Sequence, residues 1–363
     1  MGQEEYKGEI MKALLKTKPG VGNLEVLNVP KPEIVNSDDV LIRITAAGIC
    51  GTDMHIYHDM FKSYPPVILG HEFAGVVEEV GSAVTRFAVG DRVTCEPHTK
   101  FCGKCDLCRA GKIQLCKEKR SPGWGINGSF TDYIVVPELF LHHIPDNVSD
   151  EVAALSEPMA IVTHSVLERA KVEAQEVVAI IGAGPIGLLA GVAAKAGGAK
   201  KVYILGTTAD VAIRFTAAMR MGFDGVINTM KEDATEFLGK VTNGKGVDMV
   251  IEASGAEAGI NTAIDIVKMC GRICVIGMPG KDKSNVKWLE MTNKALDVYF
   301  NKSSSVSSWE KALSIMATTN CDLRNVITHY AHVDEWEAMF DAIAKGNAIK
   351  VMFVPEGSKL YNN

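Results

Sequence analysis

A chain of 363 residues is long enough for about two domains, each with its own core. It is 47% hydrophobic and 23% charged with 34 glycines, a composition that fits a globular α/β protein rather than a fibrous or disordered one. A net charge of −6 leaves no electrostatic footprint for nucleic acid or an anionic membrane, and no apolar run approaches the ~20 residues that span a bilayer. The N-terminus, Met1-Gly2-Gln3-Glu4-Glu5, lacks the basic and apolar regions of a secretory signal, so a cytoplasmic protein is the expectation.

The first third of the chain reads as β structure. Residues 11–15, a turn at Lys18-Pro19-Gly20 and residues 24–29 make a hairpin, and residues 40–48, 73–81 and 91–95 continue in short strands punctuated by Gly and Pro. This predicts a compact, partly barrel-like β domain with no helix of useful length before residue 149. Between these strands lie Gly48-Ile49-Cys50-Gly51-Thr52-Asp53-Met54-His55 and Leu69-Gly70-His71-Glu72. Together they offer a thiolate, an imidazole and a carboxylate, the donor set that suits a catalytic zinc with a position left for water or substrate. Cys50 alone reads equally as a buried strand-end cysteine; His71 and Glu72 make it a ligand candidate. His55, three residues after Thr52, is placed to pass a proton outward. The other histidines, His58, His98, His142, His143, His164, His329 and His332, read as surface or core residues.

Four of the nine cysteines crowd together as Cys102-x2-Cys105-x2-Cys108-x7-Cys116. Four thiolates at these spacings wrap one tetrahedral metal, worth about 10–16 kcal/mol in ordering a loop with little apolar core. An iron–sulfur cluster is the rival; with no proline after the last cysteine and no second cluster motif, zinc is the favoured occupant. Cys95, Cys270, Cys274 and Cys321 sit in or beside apolar sequence and read as small core residues.

At Ser149-Asp150-Glu151 the pattern changes to a helix start, and Pro158 opens a second helix over 159–170. Glu157, just before it, is either a further metal ligand or an acid facing the helix dipole. Strands at 177–181, 201–205, 226–228, 247–252, 272–276 and 297–300 then alternate with helices such as 185–196 and 213–221, the grammar of a doubly wound parallel sheet. Helix 308–318, strand 326–329, helix 333–345 and strand 349–353 follow. Residues 357–363 look like a loose tail.

Within this half, Gly182-Ala183-Gly184-Pro185-Ile186-Gly187 follows an apolar strand and opens a helix, where glycines let backbone approach a pyrophosphate. The next strand ends in Gly206-Thr207-Thr208, where an NAD site usually carries an acid on the adenosine ribose. Small neutral residues, with Arg214 near in sequence, leave room for a 2′-phosphate and tilt the reading to NADP; Asp210 reaching back to the ribose is the alternative.

Taken together, these motifs resemble the zinc-dependent medium-chain dehydrogenase/reductase family, over nearly the whole chain. The carriers are Gly48-Ile49-Cys50-Gly51-Thr52-Asp53, Gly70-His71-Glu72-Phe73-Ala74-Gly75, Gly90-Asp91-Arg92-Val93, the four-cysteine loop and the 182–187 glycine turn. Ser156-Glu157-Pro158 and the segment 302–309 are similar to sorbitol or L-iditol 2-dehydrogenase-type polyol dehydrogenases. Residues 50–57, with His98, resemble L-threonine 3-dehydrogenases. The resemblance implies a GroES-like catalytic domain (1–158 and 302–363) with an inserted Rossmann domain (159–301), assembled as dimers or tetramers. It further implies a zinc on Cys50, His71 and Glu72 or Glu157 that acidifies a secondary hydroxyl, hydride transfer between a polyol and NAD(P), and Thr52 and His55 as the proton path. Gly206, where many NAD-using relatives carry Asp, is the departure.

Overall fold

The computed structural model describes residues 9–362, so the N-terminal stretch 1–5 considered above and Asn363 lie outside the described residues. The chain divides into two compact units, one of Met1–Glu157, His329–Lys345 and Lys350–Asn363, the other of Pro158–Thr328 and Gly346–Ile349.

In the first unit, strand Asp39–Gly48 is the spine. Its Val40, Ile42, Ile44 and Ala46 are buried at period two. It pairs antiparallel with Glu72–Val80, with Tyr133–Pro137 and with Lys350–Phe353. Register sets the site: Gly48 stands opposite both Glu72 and Met352. The residues just past Gly48 therefore meet Glu72 from one neighbour and Lys350 from the other. A smaller three-stranded sheet contains the expected hairpin, Ile10–Lys16 with Leu24–Pro30.

Two short helices, Gly51–Tyr57 and Asp106–Arg109, stand where none was expected before residue 149. Two turns or fewer carry no readable period, and Gly51–Tyr57 is held instead by its ends: Asp53 accepts the Cys50 N–H at 2.8 Å. The presumed loose tail is folded, with a 3₁₀ turn over Lys359–Asn362, the Tyr361 ring stacked on His332 at 4.1 Å, and its hydroxyl donating to Glu335.

The second unit is built on six parallel strands in the order Gly225–Asn228, Lys201–Gly206, Val177–Ile181, Val247–Glu252, Val267–Val275, Asp297–Phe300. The chain winds one way from Val177–Ile181 and then the other, so the turn after that strand sits where the winding reverses, the usual ligand position. Helix Pro185–Ala196 follows it as expected. The helix expected at 213–221 begins earlier, as a wide π turn, Val211–Phe215, running into Thr216–Arg220. The one expected at 159–170 is Ser156–Thr163 continued by a π turn, His164–Arg169. Of the four cysteines read as core, Cys95 and Cys274 are buried, Cys321 is half-buried and Cys270 is exposed, with a left-handed backbone within strand Val267–Val275.

Helix Val306–Thr318 groups with this second unit rather than with the first, where the boundary at 302 would put it. The cause is local: Glu168 accepts from Ser305 at 2.6 Å, Ser307 at 2.7 Å and Lys311 at 2.7 Å, with His164 Nδ1 at 2.7 Å. Burial alone would raise its pKa, but the bonds from His164, Lys311, Ser305 and Ser307 hold it at about 2. A folded-state pKa below the unfolded value of about 4.3 contributes stability above that value and loses it as pH falls towards 2. Glu168→Gln is expected to lower Tm by about 2–4 °C at pH 7 per kcal/mol lost, with the gap from the parent shrinking as melts are repeated down to pH 3. A gap that stays constant with pH would refute the ionic hub.

Candidate metal and dinucleotide sites

Cys50 is the N-cap of Gly51–Tyr57, and His71-Glu72 begins the strand beside it. Ligand atoms of Cys50, His71 and Glu72 all lie within 4.8 Å of one another. Gly48 makes this possible, because a Cβ there would stand 2.5 Å from Glu72 Oε2. That oxygen takes a 2.7 Å bond from the buried Lys350, whose ammonium also donates to Ile49 O. Glu72 Oε1 is left buried without a partner, as are Asp53 Oδ1 and His71 Nδ1, 3.9 Å apart.

Charge balance in this group is lopsided. Burial pushes the Cys50 thiol and the Asp53 carboxyl up. Glu157, in the first turn of Ser156–Thr163, is raised to about 7 by burial against the pull of His71. Burial disfavours an imidazolium at His71, yet Cys50, Asp53 and Glu157 outweigh it and raise the pKa to about 10. Soft and hard donors converging with orphaned lone pairs fit a divalent cation. Glu157 stands outside the three-residue group, though close enough to act on it electrostatically. Thr52 Oγ1 is 3.8 Å from Cys50 Sγ, and His55 lies half-buried one turn further along the same helix.

Lys350 and Asp53 were not singled out from sequence. Asp53 had a signal, an acid three residues after an N-cap. Lys350 had none, since its partner is 278 residues away.

The second cluster is Cys102, Cys105, Cys108 and Cys116, again with all sulfurs within 4.8 Å. Backbone N–H groups of Lys104 and Cys105 pull the Cys102 thiol down to about 6, while burial and neighbouring sulfurs push Cys108 up to about 12. Four crowded sulfurs resist joint ionisation until a metal compensates them, which fits a closed tetrahedral site.

In the second unit, Gly184 is the N-cap of Pro185–Ala196 and supplies no side-chain cap, so first-turn N–H groups remain available to an anion. Nothing lies within 4 Å of where a Gly184 Cβ would project, whereas a Cβ on Gly187 would strike Gly182 O at 1.9 Å. One glycine therefore leaves room for a ligand and the other closes the turn; Ile186 is simply the residue between them on this helix. This fits a pyrophosphate.

At the end of the next strand, a Gly206 Cβ would come within 2.7 Å of Asp210 Oδ2. Asp210 accepts from the Thr207 N–H at 2.7 Å and from Thr207 Oγ1 at 3.0 Å, and pairs with Arg214 at 2.8 Å. Burial opposes its ionisation, but these bonds hold its pKa below the usual carboxylate range. Asp210 thus folds into the space beside Gly206, its carboxylate taken up by Thr207 and Arg214. Thr208 Oγ1 is 3.5 Å from Asn228 Oδ1.

Two family profiles match this chain: the alcohol dehydrogenase GroES-like domain over residues 36–146 and the zinc-binding dehydrogenase domain over residues 185–319. A sorbitol dehydrogenase of Halalkalibacterium halodurans is 35% identical, covering 95% of this chain and 99% of that protein. A D-arabitol-phosphate dehydrogenase of Enterococcus avium is 34% identical over 94% and 97%, and an L-threonine 3-dehydrogenase of Rhizobium etli 37% over 94% and 98%. Among solved structures, a Sinorhizobium meliloti protein assigned as a zinc-binding dehydrogenase and bound to NADP superposes with TM-score 0.87 at 32% identity, covering 96% and 100%. The chain belongs to the zinc-binding medium-chain dehydrogenases. It is a zinc-dependent, NAD(P)-dependent dehydrogenase of the alcohol/polyol type. No helix among the described residues is long and apolar enough to cross a membrane.

Elemental analysis of the purified protein should find two zinc equivalents per chain, one lost in Cys50→Ser and the other in Cys105→Ser. A parent with a single equivalent, or a Cys50→Ser variant retaining both, would contradict the two-site assignment.

Proposed function

We propose that the protein oxidises a secondary hydroxyl of a polyol to a ketone, with NADP as the favoured dinucleotide. The observation that carries this is the Cys50–His71–Glu72 group, whose carboxylate donor and buried polar neighbours make it more polar than an all-thiolate site and suited to a hydroxyl-rich substrate. When bound, zinc supplies the Lewis acidity that lowers a hydroxyl pKa, and the dinucleotide takes up the hydride.

The chain's own residues do the rest. Lys350 holds one oxygen of Glu72, Oε2, and leaves Oε1 as the one that would bind a metal. Asp53 fixes the start of the Cys50 helix. Thr52 takes the hydroxyl proton and His55 passes it outward. Glu157, poised near neutrality by burial, acts as a further ligand or a proton store. Gly182, Gly184, Pro185 and Gly187 seat the pyrophosphate. Gly206, Thr207, Thr208 and Arg214 surround a 2′-phosphate, a reading supported by Asp210 being turned inward and bonded to Thr207 and Arg214. An amino alcohol such as threonine is the second reading, favoured by the Rhizobium etli relative. A dimer or larger assembly is proposed on the edge strand Asp297–Phe300, where Phe300 is 72% exposed, with Trp288 and Leu289 also exposed on the helix that precedes it; a monomeric mass by light scattering at micromolar concentration would rule it out.

Initial rates on sorbitol, other alditols, their phosphate esters and L-threonine, each with NAD and NADP, test the reaction. Polyols with NADP should give the highest kcat/KM, and Cys50→Ser should abolish turnover while dinucleotide binding stays within about twofold. Threonine as the best substrate would overturn the polyol reading. Retained Cys50→Ser turnover would overturn the metal role.

A further inference from the structure

Lys16, the last residue of strand Ile10–Lys16, is fully buried, and among the described residues its ammonium pairs with no carboxylate. It donates instead to two main-chain oxygens, Gly22 O at 2.6 Å and Gly20 O. Burial holds its pKa below the ordinary lysine value, against the pull of Asp59. An ammonium buried against carbonyls alone costs stability that an apolar side chain at the same place would not. The two carbonyls belong to the turn that leads into strand Leu24–Pro30, where Gly20, Gly22 and Asn23 take left-handed φ values of 101°, 74° and 54°. Asn23 Nδ2 donates across this turn to Pro19 O at 3.0 Å and Gly20 O at 3.3 Å, and Thr17 N–H closes its neck onto Asn23 O at 2.9 Å.

The turn grips the helix that Cys50 begins. At the C-terminal end of Gly51–Tyr57, the carbonyls of Met54, His55 and Ile56 are taken up locally by the N–H groups of His58, Met60 and Asp59, at 3.1, 2.8 and 3.1 Å. The Tyr57 carbonyl is taken up from outside, by Gly22 N–H at 2.7 Å. Gly22 thus accepts from Lys16 through its oxygen and donates to the helix through its nitrogen. The main chain of the same strand holds the approach to the other two ligands. Lys16 stands opposite Val67 and Leu15 opposite Ile68, and Leu69 N–H donates to Leu14 O at 3.0 Å. His71 and Glu72 follow directly. One residue therefore reaches the Cys50 helix through its side chain and the His71 segment through its backbone, the two elements whose ligand atoms converge within 4.8 Å.

We propose that Lys16 is a positioning residue for the catalytic metal: its ammonium locks the 17–23 turn, and the locked turn holds the Cys50 helix at the spacing from His71 and Glu72 that a shared ion needs. This goes beyond the polyol reading and rests only on Cys50, His71 and Glu72 being the zinc ligands.

Zinc release to a chromogenic chelator, followed in the parent, Lys16→Met and Asn23→Gly, tests it. Methionine keeps a buried apolar stem and loses the ammonium. Lys16→Met should release the zinc equivalent that Cys50→Ser lacks about 10- to 100-fold faster than the parent, the scale of losing an outer support of a metal ligand. The four-cysteine equivalent should leave at the parental rate, and kcat should fall with dinucleotide affinity unchanged. Release of the first equivalent at the parental rate would overturn the role. So would both equivalents leaving faster by one factor, which is what general destabilisation produces. Asn23→Gly suits the left-handed backbone and removes two bonds of the turn. If Lys16→Met does not fold, faster release in Asn23→Gly upholds the proposal and parental release refutes it. Should the parent hold no zinc that Cys50→Ser loses, the metal reading falls, and hydrogen exchange decides the clamp. Protection lost in Lys16→Met both over Gly51–Tyr57 and over residues 67–72 upholds it; protection kept in either segment refutes it.

Discussion

The arrangement of the catalytic unit depends on one electrostatic imbalance. Asp53, Glu72 and Glu157 are three acids removed from water, with the half-buried thiol of Cys50 beside them, and the fixed positive charge among them is Lys350, with His71 able to supply a second. Burying charges without compensation costs several kcal/mol per ion, so the group must either hold protons or take a cation. The orphaned Oε1 of Glu72, one of the three grouped donors, decides between these in favour of a cation. A divalent ion answers both needs at once. The sheet register serves the same end by bringing Lys350 in from a strand nearly at the C-terminus, so that one oxygen of Glu72 is neutralised and the other stays in play.

What was legible in the sequence follows from how local each cause is. The parallel sheet was readable because its central strands, Val177–Ile181, Lys201–Gly206 and Val247–Glu252, are buried almost throughout and appear as apolar runs between helices. The metal ligands were readable because their chemistry is carried by rare residue types at short spacing. The helix Gly51–Tyr57 was not, since its stability lies in the Cys50–Asp53 cap rather than in a period. Lys350 was beyond reach for another reason: a lysine in a β-strand is usually a solvated edge residue, and only register across hundreds of residues turns it into a buried counter-ion. The boundary at 302 missed because Ser305 and Ser307 read as linker residues, while in the fold they are donors to Glu168.

Gly206 shows how one absence is compensated by another residue nearby. A Cβ at position 206 would stand 2.7 Å from Asp210 Oδ2 and 2.8 Å from the Phe215 ring, so a larger residue could enter only if Asp210 moved. Asp210, four residues on, braces Thr207 and Arg214. Arg214 is consequently oriented by a fixed partner, which lowers the entropy cost of presenting it to a ligand.

The four-cysteine lobe gains a purpose from what comes directly after it. Cys116 is followed by a tight connection in which Lys119 N–H closes onto Cys116 O at 3.1 Å, and Arg120 exchanges backbone bonds with Lys100 on the far side of the lobe at 2.8 and 3.3 Å. The lobe therefore has both ends clamped: one through Lys100, the other through the segment that becomes the Ser121–Gly128 turn on Gly70. With few buried apolar side chains of its own, it depends on the metal for order. That order passes through four residues to the turn that positions His71. The four-cysteine lobe is thus tied, through Arg120 and the Ser121–Gly128 turn, to the backbone that precedes His71.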